Sequence, residues 1–497
     1  MRDAVRGGVL MGDGAADRLA SELAGWRGSI DAPQEGISFS WPALSSRLRS
    51  RVAASAPGSP FVLTAFPGGE LASAASLLGV WAAGHAVAPL DLRLTSWELA
   101  KRLRLVDSDL VLTAAEHVPA VETALAAAGR RAEIRVLGPD PMSWVSWLPE
   151  RAPRDRDPAL VVFTSGTTGT PKGVLLSRAN ILAAACAVAG AQRLNGSDRV
   201  LNSLSLAHVN APVISVLGTV VSGGDVVLVR HFEPRLFWEM AGRDVTWANL
   251  VPPLISLLSR HPNAASGRSG DRLRFVRSAS APLPVAVMKR FEDAFGIAVV
   301  ESYGISEASS QVTINDVPPG RRVPGSVGTP RGVALRIVRA DLGEAAPGEE
   351  GEVCVFGPSV MDGYLGDPGA TAEAIRDGWL HTGDLGLLDP DGSLRLVGRI
   401  NELINRGGEK IAPRIIEEAA LEHAKVVDAA AVGVPDEVYG EEVKLCVVLA
   451  PGARIESGEL RRFVNERLSI HARPRSVEVV GAIPRNPSGK VMRSRLA

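Results

Sequence analysis

The chain has 497 residues, and its 54 Lys and Arg nearly balance its 55 Asp and Glu, which leaves a formal net charge of -1 at pH 7. A chain of this length exceeds one hydrophobic core, so we expect two or three folding units. The balanced charge, with no Lys/Arg block, argues against nucleic acid binding, because phosphate contacts require a concentrated basic face.

Cysteine usage indicates a reducing compartment. Cys186, Cys354 and Cys446 are far apart and odd in number. We therefore predict three buried, reduced thiols in a cytoplasmic protein rather than a disulfide framework or a metal site. Residues 1–20 carry charges every few positions and have no continuous apolar core, so they do not predict a secretory signal.

Apolar runs and amphipathic stretches alternate through the first three hundred residues. Residues 60–66 and 159–165 predict strands, the second without a polar interruption, as expected when both faces of a sheet are covered. Residues 284–296 predict a helix that ends at a glycine, and residues 297–302 predict the strand after it. This succession predicts an α/β fold, with a parallel or mixed sheet between helices.

Residues 71–90 form the most membrane-like segment of the chain. Gly79, Gly84 and His85 interrupt it, and Pro89 comes near its end. A buried helix that leads into a strand fits this pattern better than a bilayer span does. We therefore predict no integral membrane association.

The last hundred residues have a different character. Residues 457–468 predict a small amphipathic helix, and residues 429–435 and 443–450 predict strands. We place a domain boundary near residue 400. It separates a large N-terminal domain, residues 1–399, from a small α+β domain, residues 400–497, which has an ordinary size for an independent core.

The sequence VVFTSGTTGTPKG, residues 161–173, places a glycine- and hydroxyl-rich loop directly after a predicted strand. Glycines allow close backbone approach, hydroxyl and N–H groups donate to phosphate oxygens, and Lys172 adds a positive charge. The spacing of Gly166, Gly169 and Lys172 is not that of a Walker A loop. Taken alone, the segment predicts either a phosphate cradle or an ordinary solvent loop, and short motifs favour the second.

The loop resembles the signature of the adenylate-forming superfamily, which includes acyl-CoA synthetases, aryl-CoA ligases, peptide-synthetase adenylation domains and luciferases. Further signatures follow in the family's order, and together they cover almost the whole chain. They are SLAHVNA (205–211), SASAPLP (278–284), ESYGISEA (301–308), GSVGTP (325–330), GWLHTGDLG (378–386), GRINELINRGGEKIAP (398–413) and PRNPSGKVMR (484–493).

This resemblance implies a fold and a two-step reaction. The fold is a large multi-sheet N-terminal domain of doubly wound αβ layers, with a small mobile α+β domain after it. A carboxylate and ATP give an acyl-adenylate and pyrophosphate, and the acyl group then passes to a thiol. The matching ATP-binding residues are Thr164, Ser165, Gly166, Thr167, Thr168, Gly169, Lys172, Ser280, Ala281, Pro282, Glu301, Ser302, Tyr303, Gly304, Ile305, Ser306, Asp384, Arg399 and Lys490.

The resemblance implies that four residues carry charge in the catalysed reaction. Lys172 would hold the β- and γ-phosphates, and Arg399 would reach the ribose or the α-phosphate. Lys490 would bridge the carboxylate and the α-phosphate, where charge builds only in the transition state. Glu307 would hold Mg²⁺, a hard cation that prefers oxygen ligands. Without the motifs, Glu307 would be a surface carboxylate, Arg399 an interdomain ion pair and Lys490 a solvated lysine.

Two further nucleotide contacts are implied. Asp384 would accept from the ribose hydroxyls and Tyr303 would stack on adenine, although a turn residue and a core tyrosine are the plainer interpretations.

The implied acyl pocket consists of His208, Asn210, Ala211, Arg277, Ser278 and Gly304. Asn210 stands where amino-acid-activating relatives carry Asp, which argues against an α-amino acid. The segments around Arg277 and residues 404–413 look most like ligases for small or aliphatic acids, including dicarboxylates. Arg277 could pair a second carboxylate, although a structural ion pair is the more common role for such an arginine.

The acceptor is left open. No carrier domain follows residue 497, so we expect coenzyme A or a separate carrier protein to supply the thiol. Gly407 and Gly408 would line the pantetheine tunnel or form a plain hairpin turn, and Asn401 would be the hinge of a domain rotation. The alternatives are a stand-alone adenylation enzyme that serves a carrier protein or a nitrogen nucleophile, and a non-catalytic homologue. The sequence is also compatible with a homodimer.

Overall fold

The computed structural model describes residues 18–35, 37–40, 60–67, 71–137, 154–165, 171–260, 272–486 and 489–497. Strands and helices are numbered in chain order. Within these residues the strands form four sheets. None of the described helices has both the length and the apolar character needed to cross a bilayer.

The first sheet has the order β15-β14-β13-β12-β11-β9-β10-β1-β2. Its strands are β1 Ser29–Ala32, β2 Ile37–Ser40, β9 Arg199–Asn202, β10 Asp225–Leu228, β11 Trp247–Leu250, β12 Phe275–Ser278, β13 Ala298–Tyr303, β14 Thr313–Ile314 and β15 Thr329–Pro330. The run from β13 to β1 is parallel, and β2, β14 and β15 pair antiparallel to their neighbours. Parallel strands align their carboxyl ends, and ligands of open α/β sheets bind along that edge.

The second sheet has the order β18-β8-β7-β4-β3-β5-β6. Its strands are β3 Phe61–Phe66, β4 Ala86–Asp91, β5 Leu110–Ala114, β6 Glu133–Leu137, β7 Pro158–Ser165, β8 Pro171–Ser177 and β18 Gly363–Tyr364. The glycine-rich loop connects β7 to β8, which pair antiparallel with Thr164 opposite Lys172. Lys172 is therefore a strand residue at the base of a hairpin, and the loop itself, residues 166–170, lies outside the described residues.

Helices cover both faces of these two sheets. They are α1 Arg18–Gly25, α2 Leu71–Ala82, α3 Ser96–Leu103, α4 Val118–Ala128, α5 Arg178–Ala191, α6 Gly218–Ser222, α7 Pro234–Ala241, α8 Pro252–Ser259 and α9 Val285–Phe295, with a π-helical segment at Asn210–Leu217. The main core lies between the two sheets and includes α2, α5 and the π-helical segment. Smaller cores lie under α7, α8 and α9 and under α3 and α4. The predicted doubly wound α/β arrangement is confirmed.

Local sequence signals explain several element ends. The segment at 71–90 is a buried helix followed by the buried strand β4, as predicted. Helix α9 ends at Gly296, which adopts a left-handed conformation (φ 65°) that costs glycine little. One prediction was wrong. Cys186 is exposed on the outer side of α5, whereas Cys354 and Cys446 are buried free thiols.

Two small sheets complete the structure. The third has β16 Ala334–Val338, β17 Gly351–Phe356, β19 Ile375–Arg376, β20 Trp379–Leu388 and β21 Leu394–Arg399, with α10 Pro368–Ala374 beside it. The fourth has β22 Ile404–Arg406, β23 Glu409–Ile411, β24 Val426–Asp436, β25 Gly440–Leu449 and β26 Ser476–Val479, with α11 Pro413–Leu421 and α12 Ser457–Asn465. This last sheet and its helices form the small C-terminal domain, which has a core of its own. The domain boundary at residue 400 stays a prediction.

Candidate active site

Asp384, on β20, is the centre of a buried cluster. Its side chain is 7% exposed, and its two oxygens contact different partners. The hydroxyl of Tyr303 donates to Oδ2 at 2.6 Å, and Nε of Arg399 lies 2.7 Å from Oδ1. Burial, together with the neighbouring carboxylate, raises the pKa of Tyr303 well above its ordinary value, so Tyr303 stays a donor.

The geometry of the third sheet brings Arg399 to Asp384. The two residues are direct partners across β20 and β21. Burial alone would lower the pKa of Arg399, but Asp384 and Tyr303 raise it overall, so the guanidinium stays charged. The ion pair lies within the large domain, unlike the interdomain pair considered from the sequence. A carboxylate has about four acceptor positions, so Asp384 can still accept from two hydroxyl groups.

Glu307 contacts a residue that the sequence did not indicate. The hydroxyl of Tyr364 donates to Oε1 of Glu307 at 2.9 Å. The ammonium of Lys172 lies 4.8 Å from the centre of the Tyr364 ring, a cation–π distance. Tyr364 reaches this position because β18 pairs with β8, the strand that carries Lys172. Tyr364 thus joins the predicted phosphate-side cation to the predicted metal ligand. A carboxylate oxygen suits Mg²⁺, so Glu307 fits the implied ion.

Lys490 comes from the small domain and lies within the electrostatic influence of these charged groups. Its side chain keeps access to solvent, yet protein surrounds it on most sides. This burial and the nearby Arg399 lower the pKa of Lys490, while Asp384, Glu307 and Glu402 oppose the shift. Hydrogen bonds with Asn486 on both sides of its backbone fix the turn that carries it. The C-terminal residues of the chain therefore bring a positive charge under the influence of the carboxylates of the large domain.

His208 lies where the two large sheets approach each other. Its Nε2 is 3.8 Å from Oδ2 of Asp91, at the carboxyl end of β4, and Asp91 is held by Arg93 at 2.5 and 2.8 Å. Burial lowers the pKa of His208 to about 4, and the charge of Lys490 acts in the same direction. The imidazole is therefore neutral at pH 7.

Arg277, on β12, is fully buried among neutral groups. Its Nη1 donates to the amide oxygens of Asn210 and Asn249, both at 3.3 Å, and its Nη2 donates to Gln311 at 3.0 Å. Asn210 also donates to Ser280 at 3.0 Å. Burial lowers the pKa of Arg277 to about 9. The structural ion pair considered from the sequence is absent among the described residues, because no carboxylate there pairs with this guanidinium.

Glu301, on β13, is buried within the electrostatic influence of the small domain. It is 4% exposed, and burial raises its pKa to about 7, while Arg414 on α11 lowers it. The Arg414 guanidinium also donates to the backbone oxygen of Leu396 at 2.8 Å. This interaction with α11 was not predicted from the sequence.

The other predicted residues lie on the same edge or at the domain junction. Ala281 and Pro282 follow β12, and Ser302 donates to the backbone oxygen of Ser278. Gly304, Ile305 and Ser306 follow β13 and lead into the short helix that carries Glu307. Ala211 is buried in the π-helical segment. The side chains of Ser165, Gly166, Thr167, Thr168 and Gly169 lie outside the described residues.

The proposed hinge and thiol-channel residues are exposed. Asn401 lies in a short 3-10 turn at Ile400–Glu402. Gly407 and Gly408 form the two-residue turn between β22 and β23, with φ values of 60° and 93°. The hairpin turn considered from the sequence is therefore present, and the hinge and tunnel roles stay predictions.

Glu352, Cys354 and His381 bring possible metal-ligand atoms together. Nδ1 of His381 is 2.8 Å from the Glu352 carboxylate and 3.5 Å from the Cys354 sulfur. Burial raises the pKa of Cys354 to about 12, so the sulfur stays a thiol, which is a poor metal ligand. The same Glu352 carboxylate accepts from the backbone N–H of Gly383 at 2.9 Å. This cluster therefore supports the turn that presents Asp384.

Comparison with known proteins shows the family of this chain. Residues 56–365 match the family model described as AMP-binding enzyme, and residues 415–490 match the one described as AMP-binding enzyme C-terminal domain. The chain belongs to the AMP-binding enzyme family, within the adenylate-forming superfamily. Its relatives include a sulfoacetate–CoA ligase of Cupriavidus necator, which is 38% identical over 97% of both chains, and an oxalate–CoA ligase of Arabidopsis thaliana, 36% identical over 84% of both chains.

A solved structure shows the same architecture for this AMP-binding enzyme. ATP-bound MatB from Rhodopseudomonas palustris is 26% identical, with a TM-score of 0.85 over 97% of this chain and 98% of that one. The fold, with a large N-terminal and a small C-terminal domain, is confirmed. The relatives identify the chain as an AMP-forming acid–thiol ligase.

Proposed function

We propose that this AMP-binding enzyme joins a small carboxylic acid to coenzyme A. In the first step a carboxylate oxygen attacks the α-phosphorus of ATP, the bond to the bridging oxygen of the β-phosphate breaks, and pyrophosphate leaves. In the second step the sulfur of coenzyme A attacks the carbonyl carbon of the acyl-adenylate, and AMP leaves.

The observation that carries this proposal is the buried cluster of Tyr303, Asp384 and Arg399, whose charges also act on Lys490. A cation held in a cleft that protein largely surrounds stabilises charge on the reacting phosphate more strongly than it would in water. Asp384 has acceptor positions left for the ribose hydroxyls, and the hydroxyl of Tyr303 holds its carboxylate in place.

Polyphosphate charge needs further charged groups beside this cluster. Lys172 and Tyr364 lie next to Glu307, which would hold Mg²⁺. The ion supplies Lewis acid charge that neutralises phosphate oxygens. Lys172 adds a fixed positive charge for the departing pyrophosphate. The neutral His208 neither repels Lys490 nor competes with it for the carboxylate of the acid.

The size of the acid and the identity of the acceptor are supported by the relatives. Sulfoacetate and oxalate, the acids in the names of two relatives, each have a two-carbon skeleton. Both relatives are named as coenzyme A ligases, which favours coenzyme A over a carrier protein or an amine as the acceptor.

The proposal is tested with a panel of short and long acids in the presence of ATP and Mg²⁺. Pyrophosphate release is measured with coenzyme A, with an amine or with a carrier protein, and the thioester is identified by mass spectrometry. We expect release that depends on a short acid, and a thioester only with coenzyme A. Consumption of the adenylate by an amine or a carrier protein alone would support the alternative adenylation enzyme. No release with any acid would refute the ligase.

A further inference from the structure

Arg260, the residue that follows helix α8, connects the large domain to the small domain. Its Nη2 donates to the backbone oxygen of Val427, on β24, at 2.6 Å and to the hydroxyl of Ser256 at 3.0 Å. This nitrogen carries two hydrogens, so both acceptors can be bound at once. The contact with Val427 is partly buried, and a charged donor makes a stronger hydrogen bond than a neutral one. Ser256, one helical turn earlier, therefore orients a guanidinium that binds the other domain.

The acceptor of this hydrogen bond lies at a bulge in β24. In the described part of the sheet, Val427 is an extra residue between the two positions that pair with Leu449 and Val448 of β25. A bulge leaves its extra residue out of the ladder of backbone hydrogen bonds, and bulges are common next to active sites. A carbonyl group that is shielded from water without a partner costs free energy. Arg260 supplies the partner that β25 does not.

Asp428, the residue after the bulge, leads to the turn that carries Lys490. Its Oδ1 accepts from Nη2 of Arg485 at 2.7 Å. Nη1 of Arg485 donates to the backbone oxygen of Gly489, the residue before Lys490, at 2.9 Å. The backbone of Arg485 also forms a bridge with Val491, the residue after Lys490. Direct contacts thus run from the bulge to both sides of the predicted catalytic lysine.

The predicted role of Lys490 requires the small domain to be held in one position. Lys490 belongs to the small domain, whereas Asp384 and Glu307, whose charges act on it, belong to the large domain. A displacement of about 1 Å in a reacting group can cost about 100-fold in rate, even when its cause is far from the chemistry. A contact that fixes the small domain against the large one therefore contributes to the rate.

We propose that Arg260 is a positioning residue for the adenylation step. It holds the bulge of β24 and, through Asp428 and Arg485, the turn that presents Lys490 to the reacting phosphate. This inference rests on the proposed role of Lys490 in the first step. Acyl transfer to the thiol does not use Lys490, so Arg260 has no part in the second step.

The test measures the two half-reactions separately in the whole chain. Pyrophosphate release is followed with ATP, Mg²⁺ and the acid of the panel that gives the fastest release. Thioester formation is followed from a supplied acyl-adenylate and coenzyme A. In Arg260→Met, which removes the donors, kcat for pyrophosphate release should fall about 10-fold, equivalent to about 1.4 kcal/mol. KM for ATP and the rate of thioester formation should each change less than about twofold, because only the positioning of Lys490 is lost.

A combination with Lys490→Ala separates positioning from a general loss of structure. If Arg260 acts only through Lys490, Arg260→Met should lower the rate less than about twofold in the Lys490→Ala background. A structural defect would instead multiply the two losses. Arg260→Lys keeps a charged donor and should recover part of the loss. Arg485→Met breaks the path at its other end and should give the same split between the half-reactions, even where Arg260→Met does not fold.

Arg243→Met is the matched control. Arg243, just after α7, pairs with Glu239 at 2.8 Å on the surface, and its side chain is 62% exposed. This variant should leave both half-reactions unchanged.

The outcomes separate this inference from the proposed function. Unchanged pyrophosphate release in both Arg260→Met and Arg485→Met overturns the positioning role and leaves the ligase intact. An equal loss in both half-reactions, or the full product of losses with Lys490→Ala, does the same. If Lys490→Ala itself releases pyrophosphate at the wild-type rate, the role of Lys490 and this inference fail together. Release with none of the acids overturns the ligase as well.

Discussion

The hydrogen bond between Tyr303 and Asp384 allows a sharp test of how the site is held together. Replacing Tyr303 with Phe removes only the hydroxyl that lies 2.6 Å from Oδ2 of a buried carboxylate. A hydrogen bond to a charged group contributes about 1.5–3 kcal/mol, and the loss falls at the upper end when the remaining partner is buried. Arg399 still contacts the other oxygen, so the carboxylate keeps one charged partner. We therefore expect Tyr303→Phe to lower the free energy of unfolding by about 2 kcal/mol.

The assay is urea unfolding followed by tryptophan fluorescence. Tyr439→Phe is the matched control, because Tyr439 is 47% exposed on the small domain. Loss of a hydroxyl from an exposed ring should change stability by less than about 0.5 kcal/mol. If Tyr303→Phe has the same urea midpoint as Tyr439→Phe and the wild-type protein, the hydrogen bond does not stabilise the cluster and our account of Asp384 is wrong.

Three other changes test separate parts of the structure. Lys490→Ala should slow pyrophosphate release by about 100- to 1,000-fold, yet leave acyl transfer from a supplied acyl-adenylate nearly intact, with exposed Lys410→Ala as the control. A loss in both half-reactions would contradict the adenylation role. The pKa of Glu301 is raised to about 7. Ionisation of Glu301 should therefore lower the free energy of unfolding of the wild-type protein by about 3 kcal/mol between pH 4.5 and 8. Glu301→Gln should flatten that part of the urea-midpoint profile, and an unchanged slope would refute the assignment. Gly304→Ala should destabilise the large domain by more than about 2 kcal/mol, because its Cβ would meet a backbone oxygen. Thermal melts of both variants measure this difference. Gly458→Ala, whose Cβ would lie in open space on a helix, should be neutral or stabilising.

The direction of the Glu301 effect follows from proton linkage. Its folded-state pKa lies above the unfolded value, so the folded protein binds the proton more tightly. The stabilisation is complete below about pH 4.5 and is lost as the pH rises through 7.

Elements encoded by local pattern were predicted well. The strand at β7, the helix α9 and its glycine end follow from the periodicity and turn chemistry of a few neighbouring residues. The contact between Tyr364 and Glu307 joins residues 57 positions apart and depends on the pairing of β18 with β8. No signal within ten residues of Tyr364 specifies that pairing, so the contact could not be found from the sequence.

Charge partners were the least predictable part of the site. The sequence indicated Arg277 and Arg399 as candidates, but it could not show which of them finds a carboxylate. Arg399 lies opposite Asp384 in a sheet, whereas Arg277 faces only amides. Each outcome depends on strand register, which a one-residue shift would reverse.

The neighbouring positive charges of Lys490 and Arg399 have a consequence for the catalytic cycle. Besides burial, the charge of Arg399 lowers the pKa of Lys490, so the two cations repel each other, and Asp384, Glu307 and Glu402 offset only part of this repulsion. Bound ATP and acid act as shared counterions that relieve it. When pyrophosphate departs, most of that negative charge leaves with it, and we expect the small domain to be released at that moment. Product departure would thus act as the trigger that frees Lys490 and opens the cleft to the incoming thiol.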